Sequence, residues 1–186
     1  MKHQKKFDAK PDSQIRKTNQ RPSVRFPDAC SRSPNEKEQR MDQSGADRDE
    51  VTCIQIARYY FNTFSNPHSQ TWMRAFSTAE EHFDYSNGPV IASLVARVLD
   101  AVRQSRRSCF MFNNPACANC ADILTEHERR LLTALSSLRR GGVERAELEL
   151  MMLCEGNDTA RVMMWLRELA LALPQLPARP TTVTHH

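Results

Sequence analysis

Residues 86–107 read SNGPVIASLVARVLDAVRQSRR, and the reading of this stretch decides the fold. Its β-branched content suits a strand. Its spacing does not: Val90, Ile91, Leu94, Val95, Val98, Leu99 and Val102 recur three and four residues apart, which makes a broad apolar stripe on a helix. Asn87-Gly88-Pro89 in front of the stripe reads as a helix start, because proline at the first helical position loses no N–H that the helix needs.

The same period recurs outward from this element. Upstream, residues 51–64 (VTCIQIARYYFNTF) place Ile54, Ala57, Phe61 and Phe64 about one face, with Ile56 and Tyr60 beside it. Ser77-Thr78-Ala79-Glu80 has the form of a capping box and predicts a short helix from Ser77. Downstream, Thr125-Glu126-His127-Glu128 is a second capping box, opening a helix whose buried face is Leu131, Leu132, Leu135 and Leu138 and which Gly141-Gly142 ends. Residues 143–154 and 159–173 supply two more, the last with a seam of Val162, Met163, Leu166, Leu169, Ala170 and Leu173. No segment alternates with period two. The expected fold is all-α: five or six short helices in a compact array.

Composition divides the chain of 186 residues. Residues 1–50 hold all six lysines and six arginines against nine acids, a net charge of +3, with few large apolar residues and no period. Such a segment cannot bury enough apolar surface to offset its ordering entropy, so it is expected to be a disordered basic tail. Residues 51–173 are expected to form the helical domain, and the proline-rich residues 174–186 a flexible C-terminus. No apolar run follows the basic start and none reaches the length of a membrane span, so a cytoplasmic protein with reduced thiols is expected.

The densest chemistry lies in residues 109–120, CFMFNNPACANC. The C-x2-C spacing of Cys117 and Cys120 brings two thiolates onto one turn, as zinc sites require, and the turn former Asn113-Asn114-Pro115 folds Cys109 back toward them. His127 is the expected fourth ligand, with Cys154, Cys53 and His82 as alternatives through tertiary contact. An iron–sulfur cluster accepts the same spacing but ranks below zinc, and a dithiol switch lacks the βαβ context of thioredoxin-type motifs. Packing competes with all three, since cysteine is among the most buried residue types and Cys109 precedes Phe110, Met111 and Phe112.

Two partner classes follow. Arg106, Arg107, Arg129 and Arg130 would contact phosphates if they converged into a nucleic-acid footprint, although interleaved glutamates fit a solvated mixed-charge face equally well. Residues 143–173 have the length of a helix-turn-helix, but Asp158 and Glu168 oppose DNA. Met151, Met152, Met163, Met164 and Trp165 instead suit a protein-interaction surface or a homodimer seam, with Leu166 at its centre. Catalytic residues are not assigned. There is no G-x-S-x-G, no H-E-x-x-H and no glycine-rich phosphate loop, so the chain is read as a non-enzymatic regulatory or adaptor protein.

Overall fold

The computed structural model describes residues 34–176, and they form an all-α array with a minimal strand pair. In chain order the elements are β1 (Gln39–Arg40), α1 (Arg48–Ser65), α2 (Trp72–Ser105), α3 (Ala118–Ala121), β2 (Ile123–Leu124), α4 (Glu126–Arg139), α5 (Val143–Leu153) and α6 (Ala160–Ala172), with 3-10 turns at Met41–Gln43 and Pro67–Ser69. β1 and β2 pair antiparallel, Gln39 opposite Leu124 and Arg40 opposite Ile123. One continuous core runs between α1, α2, α4, α5 and α6, built on Ile54, Ile56, Leu99, Leu135, Leu150 and Leu166.

The domain begins earlier than residue 51. Asp47 caps α1 by accepting from the Glu50 amide at 2.9 Å, while the Glu50 carboxylate accepts from the Asp47 amide at 3.0 Å. Glu50, placed by composition in the tail, is fully buried and receives Arg140 at 2.6 Å, Arg139 at 3.0 Å and the Ser136 hydroxyl at 2.6 Å. The start of α1 is thereby pinned to the end of α4. Residues 1–33 and 177–186, the rest of the expected tails, lie outside the described residues.

The long helix α2 departs most from expectation. It is already helical at Trp72, so Ser77 does not cap it; its hydroxyl bonds back to the Met73 carbonyl at 3.2 Å. The break falls at Asp84, which has φ 70°, ψ 169°, and whose carboxylate accepts from the Ser86 and Asn87 amides at 2.7 and 3.0 Å. Asp84 therefore starts the second half of α2, and Pro89 lies five residues past the break instead of at the first helical position. The bond it removes would have gone to the carbonyl of Tyr85, an exposed residue in the first turn after the break. The bend brings Gly88 against Ala79 and Glu80, where a Cβ would stand 2.6 Å from the Glu80 nitrogen. After the bend the buried stripe is Ile91, Ala92, Val95, Val98, Leu99, Ala101 and Val102, while Val90 is exposed.

α4 follows its sequence signals closely. Thr125 and Glu128 form the reciprocal capping box, and Gly141 (φ 78°) ends the helix with its amide on the Leu138 carbonyl, followed by Gly142 on Ser137. The domain has no lysine after residue 50. The structure supplies a physical use for the arginines instead: Arg58, Arg106 and Arg139 are buried side chains that bridge several acceptors at once, which a planar five-donor group does and an ammonium does not.

Candidate functional site

Residues 106–125 link α2 to α4 through a largely irregular path that includes the single turn α3 and the two residues of β2, and a buried polar network holds them in place. Arg58 lies on the apolar stripe of α1 between Ile54 and Phe61. Its guanidinium meets Glu128 of α4 at 2.7 and 3.1 Å and donates to the carbonyls of Ala121 and Ile123 at 2.6 Å each. Glu128 also accepts from the Asn113 amide at 3.2 Å, and the Asn113 side chain donates to the Ile123 carbonyl at 2.7 Å. Each buried charge is thus paired and hydrogen-bonded, the condition under which burying it is tolerated.

This network sets the segment down across α1 with its phenylalanines inward. Phe110 and Phe112, two apart on an extended run, both stack on Phe61, with centroids 4.3 and 5.3 Å away, and Phe64 meets Phe61 edge-on at 6.3 Å. Phe61 is buried beneath the others, whereas Phe64 is 50% exposed. The four rings floor and wall a cleft of about 330 Å³ whose lining also includes Val102, Arg103, Arg107, Ser108 and Cys109. The sequence places Phe64 on the buried face; it stands one turn beyond the end of that face, at the cleft's edge.

At the other end of the segment Arg106 is an internal strut. Its guanidinium donates to the Leu153 carbonyl, to the Ser108 hydroxyl at 2.9 Å, and pairs with Glu155 at 3.1 Å. Glu155 in turn accepts from the Ser108 hydroxyl and from the amides of Arg107 at 2.9 Å and Ser108 at 3.3 Å, which hold its carboxyl down at about 2. His127 is wedged between these groups. Its Nδ1 accepts from the Met111 amide at 2.8 Å and its Nε2 faces Arg106 at 3.2 Å. Burial, then the Arg106 charge, lower its pKa, so the neutral ring is favoured.

The expected sites fare differently against this geometry. Arg106 does not face solvent, and Arg130 is held by Glu126 at 2.7 Å and Glu149 at 3.3 Å. Arg107 is exposed beside the cleft, and Arg129 is half-buried on α4 and lines a separate hollow with Gln39, Ser44 and Arg140. The expected ligand set is likewise dispersed in environment: Cys109 is exposed at the cleft, Cys117 precedes α3, Cys120 is buried within it, and both ring nitrogens of His127 face other groups. Of the alternatives, Cys53 and Cys154 are buried thiols whose burial raises their pKa, and His82 bonds Asp49 at 2.8 Å. Among the described residues no group of three or more His, Cys, Asp or Glu side chains is placed to hold a metal ion.

The last two helices also divide unexpectedly. Leu166 is 1% exposed and belongs to the core, as do Val162 and Leu169. The large apolar side chains left outside are Val143, Leu148, Met151 and Met152 on α5, and Met164 and Leu171 on α6. No helix among the described residues is long and apolar enough to cross a membrane. Compared with known proteins, the chain matches no family model, no curated protein and no solved structure.

Phe61, Phe64, Phe110 and Phe112 are the site residues that sequence patterning missed. The signal was present in two places: an arginine inside an apolar stripe at Arg58, and the alternation Phe110-Met111-Phe112, too short to register as a strand.

Proposed function

We propose that this chain is a small cytoplasmic helical adaptor, a protein-interaction module whose docking site is the phenylalanine cleft between α1, the end of α2 and residues 106–112. The observation that carries this reading is Phe64. A large aromatic side chain of α1 stands half in solvent at the rim of a cleft lined by Phe61 and by Phe110 and Phe112, the last two on the segment that the buried Arg58–Glu128 pair holds. Rigid, pre-ordered aromatic anchors of this kind give binding energy at little entropic cost. Protein is favoured over nucleic acid because Arg106 and Arg130 already hold carboxylates. The test compares the full chain with a Phe64→Asp variant and a Tyr85→Asp control. Partners that bind the wild type and the control but not Phe64→Asp, and that shift resonances of residues 61–65 and 103–112 when reconstituted pure, support the module. Identical partners for all three proteins overturn it.

A second reading has one observation in its favour. Cys117 and Cys120 share a turn, with the Cys120 amide on the Cys117 carbonyl at 3.1 Å, the backbone arrangement that C-x2-C metal pairs use. Elemental analysis of anaerobically purified protein decides it: about one zinc per chain, lost in Cys117→Ser/Cys120→Ser, supports a structural zinc, iron with sulfide-type absorption an iron–sulfur cluster, and metal-free folded protein neither.

A further inference from the structure

We infer that the cleft takes an extended acidic peptide segment of a partner protein, anchored by one large apolar side chain; the inference rests on the cleft being a docking site. Three features of the cleft point to this ligand.

Charge is the first. Arg103 and Arg107 stand at the rim and no carboxylate lines the cleft. The nearest acids are turned to other groups: Asp100 holds Arg103 at 2.9 Å, and Glu155 lies on the amides of Arg107 and Ser108 and on Arg106. The Arg103–Asp100 pair is an exposed one, the kind that yields to a better acceptor at little cost. The Arg107 guanidinium is exposed and makes no hydrogen bond or ion pair with another described residue. Two guanidinium groups beside bare aromatic surface recognise carboxylate next to hydrocarbon, and repel a cationic ligand that rings alone would attract.

The backbone is the second. Residues 109–112 belong to neither helix nor strand, and the amides of Cys109, Phe110 and Phe112 donate to no other described residue. Backbone donors without a partner among the described residues, beside an apolar cleft, are what an extended peptide pairs with, its side chains entering the cleft at alternate positions. A volume of about 330 Å³ is at the small end for ligand sites and suits one large anchor side chain.

The third excludes residues 1–33 and 177–186 as occupant. Residues 1–33 carry nine lysines and arginines against three aspartates, and residues 177–186 carry Arg179 and no acid. Both segments are basic, so Arg103 and Arg107 repel them.

The test is selection of random peptides displayed against the full chain, followed by fluorescence anisotropy with the winning peptides. The expected winners carry Asp or Glu flanking Phe, Trp or Leu, lose affinity about tenfold or more on Arg107→Glu, and weaken as salt rises. Replacing their acids by Lys restores binding to Arg103→Glu/Arg107→Glu, a rescue that a misfolded variant does not show. Apolar winners without acids, sensitive to Phe64→Asp but indifferent to Arg107→Glu, overturn the acidic ligand while leaving the docking cleft. Basic winners overturn it equally. Winners indifferent to Phe64→Asp, or none at all, remove both the ligand and the cleft.

Discussion

Arg58 and Glu128, 70 residues apart in the chain, close an ion pair at 2.7 Å with side chains only 1% and 2% exposed. The pair joins the middle of α1 to the first turn of α4, and the irregular segment between α2 and α4 hangs from it through Asn113, Ala121 and Ile123. Removing one partner strands a buried charge. Glu128→Ala is expected to cost about 3–5 kcal/mol in urea unfolding, whereas Arg58→Met/Glu128→Leu, which removes both charges, is expected to recover part of that loss. Equal destabilisation in the single and double variants would show that the backbone bonds of Arg58, not the charge pair, hold the segment.

The last helix invites a misleading experiment. Leu166→Glu buries a carboxylate in the core and is expected to unfold the domain, so loss of assembly in that variant says nothing about an interface. Leu148→Glu and Met152→Glu change the exposed face of α5 and are expected to stay within about 0.5 kcal/mol of wild type. A concentration-dependent mass in sedimentation, abolished by these two variants, would place a homodimer seam on α5; an unchanged mass would remove it.

Gly88 is where the two halves of α2 touch. Gly88→Ala places a methyl group 2.6 Å from the Glu80 backbone nitrogen, and backbone cannot step aside as a flexible side chain does. A loss of about 1–3 kcal/mol in thermal or denaturant unfolding is expected, although alanine is otherwise the better helix former. Neutral or improved stability would show that the bend opens freely.

The Tyr60 hydroxyl is buried and has no partner among the described residues, and burial pushes its pKa up to about 12. Tyr60→Phe keeps the ring and its edge contact with Phe76 while deleting the unsatisfied oxygen. Stability is expected to hold or to rise by about 1 kcal/mol in urea unfolding. A clear loss would reveal a partner for the hydroxyl.

Acid is expected to loosen the cleft in two stages. His127 faces Arg106, Arg130, Glu126 and Glu155, and its pKa in the folded chain lies below the unfolded value because of burial and then Arg106. The unfolded state therefore binds the proton first, and this contribution is full above the ordinary histidine range and lost as pH falls through it. Protonation of Nδ1 also takes away the acceptor of the Met111 amide. Glu155, lowered to about 2 by the Ser108 hydroxyl and the Arg107 amide, contributes above the ordinary glutamate range and loses this only as pH falls toward 2. Hydrogen exchange should report faster opening at Met111 as pH falls below the ordinary histidine range, and at Arg107 and Ser108 only in stronger acid. Opening of all three amides together would mean that the segment releases as one unit.

Much of the helical scaffold is legible in the sequence because its signals are local. The period of Ile91 to Val102, the Thr125–Glu128 box and the Gly141 stop each act within one or two turns, and the structure follows them. The Asp47–Glu50 box is just as local, but composition assigned it to a tail. Composition averages over fifty residues, whereas a cap depends on two.

What tertiary structure alone decided is which side of each helix meets another chain segment. Arg58, Arg106 and Arg139 become buried pins because acceptors from distant turns converge on them. Phe64 continues the stripe of α1, yet α1 outruns its neighbours and leaves the ring at a cleft edge. By itself the sequence determined the all-α class, most of each stripe and, among the caps, the Thr125–Glu128 box and the Gly141 stop, since these depend on dihedral preference and spacing within a few residues. The cleft depends on contacts between residues some fifty positions apart, Phe61 with Phe110 above all, and no local spacing encodes such a meeting.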